Sequence, residues 1–207
     1  LDKRKWLDDT LIVFTADHGD MTGDHNLWRK SYAYEPSARI PMLLRGPKEL
    51  QGERGQVCPR PVELRDVLPT FMEAAGAPGR ETLDGRSMLA IAQNPQAEWR
   101  PWIDLEHDIC YAPENHWNAL TDGKWKFIFH AKDGEIQLFD LDNDPHELND
   151  LAGDARYSDE LRKWRARLVE HLQERGEPFV KNGGLALRPE STLYSPNYPG
   201  CSCHPKV

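Results

Sequence analysis

The stretch TLIVFTADHGDMTGDHNLWRK, from Thr10 to Lys30, contains the pattern that decides the fold. It begins with the apolar run Leu11–Phe14, whose β-branched and aromatic side chains are typical of a strand buried on both faces, as in a parallel sheet. Ionisable residues follow at once in the segment Asp17–Asp20. Because open α/β sheets bind their ligands at the carboxyl ends of strands, this order predicts a ligand site directly after the run.

The residues after the run supply the groups that such a site needs. Asp17 offers a carboxylate oxygen and His18 an imidazole nitrogen, so the two could hold one divalent cation. Gly19 permits a sharp turn and a close approach to a ligand. Lys30 could neutralise a bound oxyanion, and we expect its side chain to reach the same cleft as Asp17. A bare D-H-G is a weak motif and is also compatible with an ordinary turn that contains a loop histidine.

Over its full length the stretch resembles the second metal-site segment of the sulfatase branch of the alkaline phosphatase superfamily. Members of that branch have S/T-x-D-H/N-G-D after an apolar strand, then G-D/E-H, then L-W-x-K-x-x-x-Y/F-E. They end with R-x-P before a second apolar strand. The matching residues in this sequence are Thr15–Asp20, Gly23–His25, Leu27–Glu35 and Arg39–Leu44.

The resemblance implies hydrolysis of a sulfate ester, or of a related phosphate or phosphonate ester. Asp17 and His18 match two of the family's metal ligands, and Lys30 matches the lysine that contacts the sulfuryl or phosphoryl oxygens. His25 lies close enough in sequence to be a substrate contact or a proton donor. The family's nucleophile is a formylglycine formed in C/S-x-P/A-x-R. We expect it upstream of this chain, because Cys58–Pro61 has neither that spacing nor that position.

The identity of the metal and of the ester stays open at this stage. Calcium is the expected ion, and the histidine nitrogen leaves manganese or zinc as alternatives. The pairing of Asp17 with His18 also occurs in phosphonate monoester and phosphodiester hydrolases of the same branch. A non-catalytic binding module that retains the fold is a third possibility. The expected partners are a small-molecule or saccharide sulfate ester and the remainder of the catalytic domain.

Composition excludes several other classes of protein. The 207 residues are 39% hydrophobic and 29% charged, which is normal for a soluble globular protein. A net charge of −8 without a basic patch argues against a nucleic-acid partner. No apolar run approaches the roughly 20 residues of a membrane span. Since the first residue is Leu1 and not Met, we expect the native N-terminus to be missing, which leaves the compartment open between cytoplasm and periplasm.

The predicted fold class is α/β, and residues 1–95 are predicted to be the C-terminal part of an alkaline-phosphatase-like domain. Residues 1–9 have the pattern of a helix end that leads into the first strand. Arg39–Arg45 is a second short strand. Glu63–Ala75 has apolar residues at three- and four-residue steps, which predicts an amphipathic helix with Asp66 at its N-cap.

Residues 96–178 are predicted to form a small α+β subdomain of about four antiparallel strands packed by one helix. Turn residues, including two Asp-Gly pairs, bound each predicted strand. The helix runs from Ser158 to about Arg175, and residues 179–207 are a tail that includes Cys201 and Cys203. The predicted strands are Trp102–Glu106, Trp117–Thr121, Lys124–His130 and Ile136–Leu141.

Two features of the subdomain bear on function. His107 and His116 flank its first strand, and we predict that they bind substrate, because the resembled subdomain leans on the active site and can supply pocket residues. A structural or surface histidine is the alternative for each. The segment Leu138–Ala152 contains D-x-D-x-D but lacks the glycine and glutamate of a calcium loop. It resembles the family's L-x-D-L-x-x-D-P-x-E-x-x-N-L signature, which is a structural turn.

Overall fold

A computed structural model describes residues 1–50, 52–79, 82–109 and 115–190. The chain divides into two compact units. The first unit consists of Leu1–Gly19 and Arg39–Ile103, and the second of Asp20–Ala38 and the residues from Asp104 onward. The predicted division into domains 1–95, 96–178 and 179–207 stays a prediction.

The strands and α-helices are mostly short, and 3₁₀ turns connect several of them. Residues 1–9, expected as the end of a helix, form two such turns, Asp2–Arg4 and Leu7–Asp9. The regular elements in chain order are β1 Ile12–Thr15, α1 Glu35–Ala38, β2 Met42–Arg45, α2 Val67–Ala74, α3 Leu89–Gln93, β3 Ile103–His107, β4 Trp117–Thr121, β5 Trp125–His130, β6 Ile136–Asp140, α4 Ser158–Leu172, β7 Val180–Lys181 and β8 Gly184–Leu185.

The sheet of the first unit consists of β1 and β2, which pair antiparallel with Phe14 opposite Leu43. The expectation that the first strand is buried on both faces, as in a parallel sheet, is wrong for this pair. Phe14 is 63% exposed and Leu43 is 58% exposed. Among the described residues β1 pairs only with β2, and the face that carries these two side chains is exposed.

The predicted amphipathic helix is present as α2, preceded by the 3₁₀ turn Leu64–Asp66. Asp66 stands at the N-cap position, as predicted, but its side chain does not cap α2. It is buried, forms an ion pair with the guanidinium of Arg100, and accepts hydrogen bonds from the backbone N–H groups of Glu63 and Arg86. Asp66 therefore joins the start of the helix to two later segments of the first unit.

The second unit contains the four predicted strands, and this prediction is confirmed. They form one sheet in the order β3-β4-β5-β6, with Trp117 opposite His130 and Trp125 opposite Asp140. All of β4 is buried. The helix predicted from Ser158 is α4, extended by a 3₁₀ turn to Arg175, and its buried residues are Trp164, Leu168 and Leu172. These three are the stripe that packs on the sheet.

The first part of the predicted tail is structured. Strands β7 and β8 form a hairpin, and Arg188 is buried after it. The cysteine-rich end with Cys201 and Cys203 lies outside the described residues. Among the residues that are described, no helix has the length and hydrophobicity needed to cross a membrane.

Candidate functional site

Asp17 and His18 lie directly after β1, as the sequence predicted, and their side chains face each other. The Nε2 of His18 is 3.5 Å from the Oδ2 of Asp17, and the backbone N–H of His18 donates to Asp17 Oδ1 at 3.1 Å. The Nδ1 of His18 lies 2.7 Å from the carbonyl oxygen of Gly19. A carbonyl can only accept, so Nδ1 carries a proton, and the Nε2 that faces the Asp17 carboxylate offers a lone pair whenever the ring is neutral.

This arrangement fits two ligands of one divalent cation. Metal-bound histidines usually donate their other ring N–H to a carbonyl or carboxylate, which fixes the tautomer and the ring orientation. Ligand atoms lie about 2.0–2.5 Å from such ions, so two donors 3.5 Å apart can reach the same ion. Within the described ranges no cluster of three or more His, Cys, Asp or Glu side chains could hold a metal ion. Asp17 and His18 are two donors only, and their role as metal ligands stays a prediction.

The loop of residues 20–31, which contains His25 and Lys30, belongs to the second unit. The Oδ1 of Asp20 accepts hydrogen bonds from the backbone N–H of Thr22 at 2.9 Å and of Arg29 at 3.2 Å. The backbone N–H of Met21 donates to the Arg29 carbonyl at 2.8 Å. These bonds close the loop on itself and fix its shape.

Left-handed backbone conformations are concentrated in this loop. Such conformations are uncommon outside glycine, and they cluster at functional sites where surrounding contacts hold them in place. The non-glycine residues concerned are Thr22, His25, Asn26, Arg29 and Ser31, with φ between 44° and 92°.

Lys30 lies between two of these left-handed residues. It is exposed, whereas Ser31 is buried and its carbonyl accepts a hydrogen bond of 2.9 Å from Nε1 of Trp117. The backbone on either side of Lys30 is thus anchored, to Met21 through Arg29 and to β4 through Ser31. Lys30 is therefore an exposed side chain on a backbone that is held on both sides. That Lys30 and Asp17 reach the same cleft stays a prediction.

His25 is held by a ring stack and a hydrogen bond. Its ring lies parallel to that of Tyr34 with 4.2 Å between the ring centroids, and its Nε2 is 2.9 Å from the carbonyl oxygen of His146. Nε2 therefore carries a proton, and the proton that His25 could exchange is the one on Nδ1. Tyr34 in turn donates to Gln137, and burial raises the pKa of Tyr34.

His107 and His116 lie at neighbouring strand ends of the second unit. His107 is half-buried, with Nδ1 donating to the Asn115 carbonyl at 2.9 Å and its ring stacked on Trp117 at 6.0 Å. His116 is only 3% exposed, and its Nε2 lies 3.3 Å from Nε of Arg188. Burial, and secondly the charge of Arg188, lower the pKa of His116. The two histidines therefore differ: His107 reaches the surface, and His116 is a buried neutral ring.

The second unit contains a buried cluster of charges that was not predicted from the sequence. The Nζ of Lys126, which is fully buried, lies 2.8 Å from Oε1 of Glu35 and 2.7 Å from Oε1 of Glu147. The second oxygen of Glu147 accepts the backbone N–H of Glu35 at 2.6 Å. Burial raises the pKa of Glu147, although Lys126 opposes this shift. The cluster joins α1, which follows the loop of residues 20–31, to β5 of the sheet.

One signal for this cluster was present in the sequence. Glu35 ends the L-W-x-K-x-x-x-Y/F-E match, and Glu147 is the glutamate of the D-P-x-E match. The structure shows that the two motifs meet at Lys126. Both glutamates therefore serve the fold.

Comparison with known proteins agrees with this architecture. The sequence profile of the family described as N-sulphoglucosamine sulphohydrolase, C-terminal, matches residues 23–174. This chain belongs to the sulfatase family. An arylsulfatase from Clostridium perfringens is 35% identical over 190 residues, which are 90% of this chain and 39% of that relative. The resemblance to a sulfatase C-terminal portion is thereby confirmed.

Two solved structures have the same fold as this chain. One contains its substrate, D-glucosamine-2-N,6-O-disulfate, is 26% identical, and aligns with a TM-score of 0.72 over 86% of this chain and 37% of its own. The other is a phosphonate monoester hydrolase from Silicibacter pomeroyi, also 26% identical, with a TM-score of 0.72 over 91% and 40% of the two chains. This chain thus spans about two fifths of the length of these three proteins, and its predicted fold class is confirmed.

Proposed function

We propose that this chain is part of a metal-dependent sulfatase that hydrolyses sulfate esters. Asp17 and His18 bind the divalent ion, and Lys30 contacts the sulfuryl oxygens. The observation that supports the proposal most is the hydrogen bond from Nδ1 of His18 to the Gly19 carbonyl. This bond leaves Nε2 as a ligand atom beside the carboxylate of Asp17, which is the arrangement expected of a metal-binding pair.

The choice of ion follows from the two donor atoms. Asp17 offers a hard oxygen, which suits calcium, and the Nε2 of His18 also admits manganese or zinc. When bound, a divalent ion neutralises charge on the transferring group and stabilises the attacking oxygen.

Lys30 acts on the negative charge of the ester. A sulfate ester gathers charge on its peripheral and leaving oxygens as it is cleaved, and a positioned cation stabilises that charge. The anchored backbone on both sides of Lys30 supports this role, because it limits the positions that the ammonium group can reach. His25 is proposed as a substrate contact or proton donor that acts through Nδ1, since its Nε2 is committed to the His146 carbonyl.

The substrate class is proposed to be a small-molecule or saccharide sulfate ester. The related structure that contains a disulfated glucosamine supports a saccharide sulfate ester. The arylsulfatase relative supports an aryl sulfate ester. His107 is the better placed of the two subdomain histidines for contact with such a ligand, because part of its surface is accessible.

The remainder of the catalytic domain is a further proposed partner. It would supply the formylglycine nucleophile and further metal ligands. This view is supported by the coverage, since the chain spans only about two fifths of the length of these three proteins. The first unit also exposes large apolar side chains, and exposed apolar patches mark interaction surfaces. These side chains are Phe14, Leu43, Leu64, Leu68 and Phe71.

A phosphonate or phosphate ester is the second candidate substrate. It is supported by the phosphonate monoester hydrolase structure and by the histidine at position 18. Turnover of matched aryl sulfate, phosphonate monoester and phosphate diester substrates by the complete gene product separates the two. We expect the highest kcat/KM for the sulfate ester. A higher value for the phosphonate would replace sulfatase by phosphonate hydrolase, and no turnover of any ester would favour a binding module.

A further inference from the structure

A buried arginine outside the family match contacts one of the subdomain histidines. Arg188 follows the β7–β8 hairpin, whereas the family profile matches residues 23–174. It is 4% exposed, and its backbone N–H donates to the Ala131 carbonyl at 2.6 Å. The backbone N–H of Ala131 in turn donates to the His116 carbonyl at 2.7 Å. The end of the hairpin is therefore fixed beside His116.

The hydrogen-bond partners of the Arg188 guanidinium are neutral groups. Its Nε donates to Nε2 of His116 at 3.3 Å, Nη2 donates to Oδ1 of Asn118, and Nη1 lies 3.5 Å from the Ala186 carbonyl. Its carbon Cζ stands 4.3 Å from the ring centre of Phe179. Burial is the main cause that lowers the pKa of Arg188, to about 10, so the group is still charged at neutral pH.

These contacts determine where His116 holds its proton. An arginine N–H can only donate, so Nε2 of His116 must accept, and the proton of the neutral ring is then on Nδ1, a buried atom without a hydrogen-bond partner among the described residues. The carboxylate of Asp108 lies 3.8 Å from the same Nε2 and would favour the opposite tautomer. Burial first and the charge of Arg188 second oppose protonation of His116, while Asp108 and the Arg188 carbonyl favour it. Arg188 and Asp108 therefore compete for one ring nitrogen.

The same end of β4 orients His107. The carbonyl of Asn115, next to His116, accepts the Nδ1–H of His107 at 2.9 Å. The acceptor atom that a neutral His107 can offer a ligand is therefore Nε2. Such an atom recognises a hydroxyl or amine hydrogen, which saccharides carry, and not a sulfate oxygen.

We infer that Arg188 is a positioning residue for this histidine pair. It fixes His116 as the neutral tautomer with its proton on Nδ1. The neighbouring Asn115 carbonyl accepts the Nδ1–H of His107, so Nε2 is the atom with which a neutral His107 can accept a hydrogen bond from a hydroxyl of the substrate. The inference rests on the proposed function only in naming a substrate. The tautomer itself is a property of this chain without substrate or metal.

The test is NMR of the ring nitrogens in the 207-residue chain labelled with ¹⁵N-histidine, with His116→Gln for assignment. In the wild type we expect His116 to be neutral at pH 7 with its proton on Nδ1. In Arg188→Met the proton should move to Nε2, facing Asp108, and His116 should titrate at higher pH. Arg175→Met is the matched control, because Arg175 also stacks on Phe179, at 3.7 Å, and pairs with Glu106 without touching His116.

The outcomes are distinguishable from failure of the proposed function. A wild-type His116 with its proton on Nε2, or an Arg188→Met spectrum identical to the wild type, overturns the inference. An equal change in Arg175→Met would show a general effect of loosening the hairpin and would also overturn it. If Arg188→Met does not fold, the tautomer of His116 in the wild type and in Arg188→Lys, which keeps the charge, tests the inference instead. Loss of ester hydrolysis in the complete protein bears on the proposed function alone.

Discussion

Replacing Lys126 by methionine tests the buried charge cluster that joins α1 to the sheet. Lys126 is fully buried between Glu35 and Glu147, at 2.8 Å and 2.7 Å. The substitution keeps the length of the side chain but leaves two carboxylates together, and Glu147 is itself buried. Removing one partner of a buried ion pair costs about 3–5 kcal/mol. For a protein of this size that corresponds to a fall in Tm of roughly 6–20 °C.

The cost should depend on pH in a defined direction. Burial raises the pKa of Glu147 above its ordinary value of 4.5, and Lys126 opposes that shift. Without Lys126 the pKa of Glu147 rises further. A carboxyl group whose pKa is higher in the folded state than in the unfolded state does not lower the free energy of unfolding at pH values below its unfolded-state pKa. The loss of stability grows as the pH rises through the folded-state pKa. The loss in Lys126→Met should therefore be small near pH 4 and largest at neutral pH.

The assay is urea unfolding followed by tryptophan fluorescence at pH 4, 5, 6 and 7. Lys163→Met is the control, since Lys163 pairs with Glu160 at 2.7 Å on the exposed face of α4 and should contribute at most about 1 kcal/mol. A loss below about 1 kcal/mol for Lys126→Met at pH 7 would refute the reasoning. A loss that is larger at pH 4 than at pH 7 would refute it as well.

Two further predictions concern the site and the fold. Lys30→Ala in the complete protein should lower turnover by about a hundredfold or more with Tm nearly unchanged, and near-normal turnover would remove Lys30 from the site. Gly85→Ala should destabilise by about 1–3 kcal/mol in urea unfolding, because its Cβ would stand 1.8 Å from the Arg65 carbonyl oxygen. Gly79→Ala, whose Cβ meets nothing within 4 Å, is the control, and an equal loss there would contradict the explanation.

Local patterns predicted the second unit well. The two Asp-Gly pairs mark tight hairpins, and Gly123 and Gly134 have φ of 88° and 85°, as such turns require. The buried residues Trp164, Leu168 and Leu172 of α4 recur at four-residue steps, a spacing that is readable in the sequence. Turn chemistry and periodicity are properties of neighbouring residues, so the sequence displays them directly.

Properties that depend on distant residues were not predictable in the same way. The apolar run before Asp17 suggested burial on both faces, but burial depends on the strands that pack there, and Phe14 is exposed. Lys126 occupies an alternating strand position that looks polar and solvent-facing, and its partners are far away in sequence. For the candidate site, the motif identified Asp17, His18 and Lys30 as candidates. The hydrogen bond that fixes the tautomer of His18 required the structure.

The most direct test of the central claim is a crystal structure of the complete gene product grown with Mn²⁺, with anomalous data at the manganese edge. We expect a manganese peak about 2.0–2.5 Å from a carboxylate oxygen of Asp17 and from Nε2 of His18. The hydrogen bond from Nδ1 of His18 to the Gly19 carbonyl should be retained. A bound ion that contacts neither side chain, or a His18 ring turned away from Asp17 with its Nε2 in the core, would contradict the account.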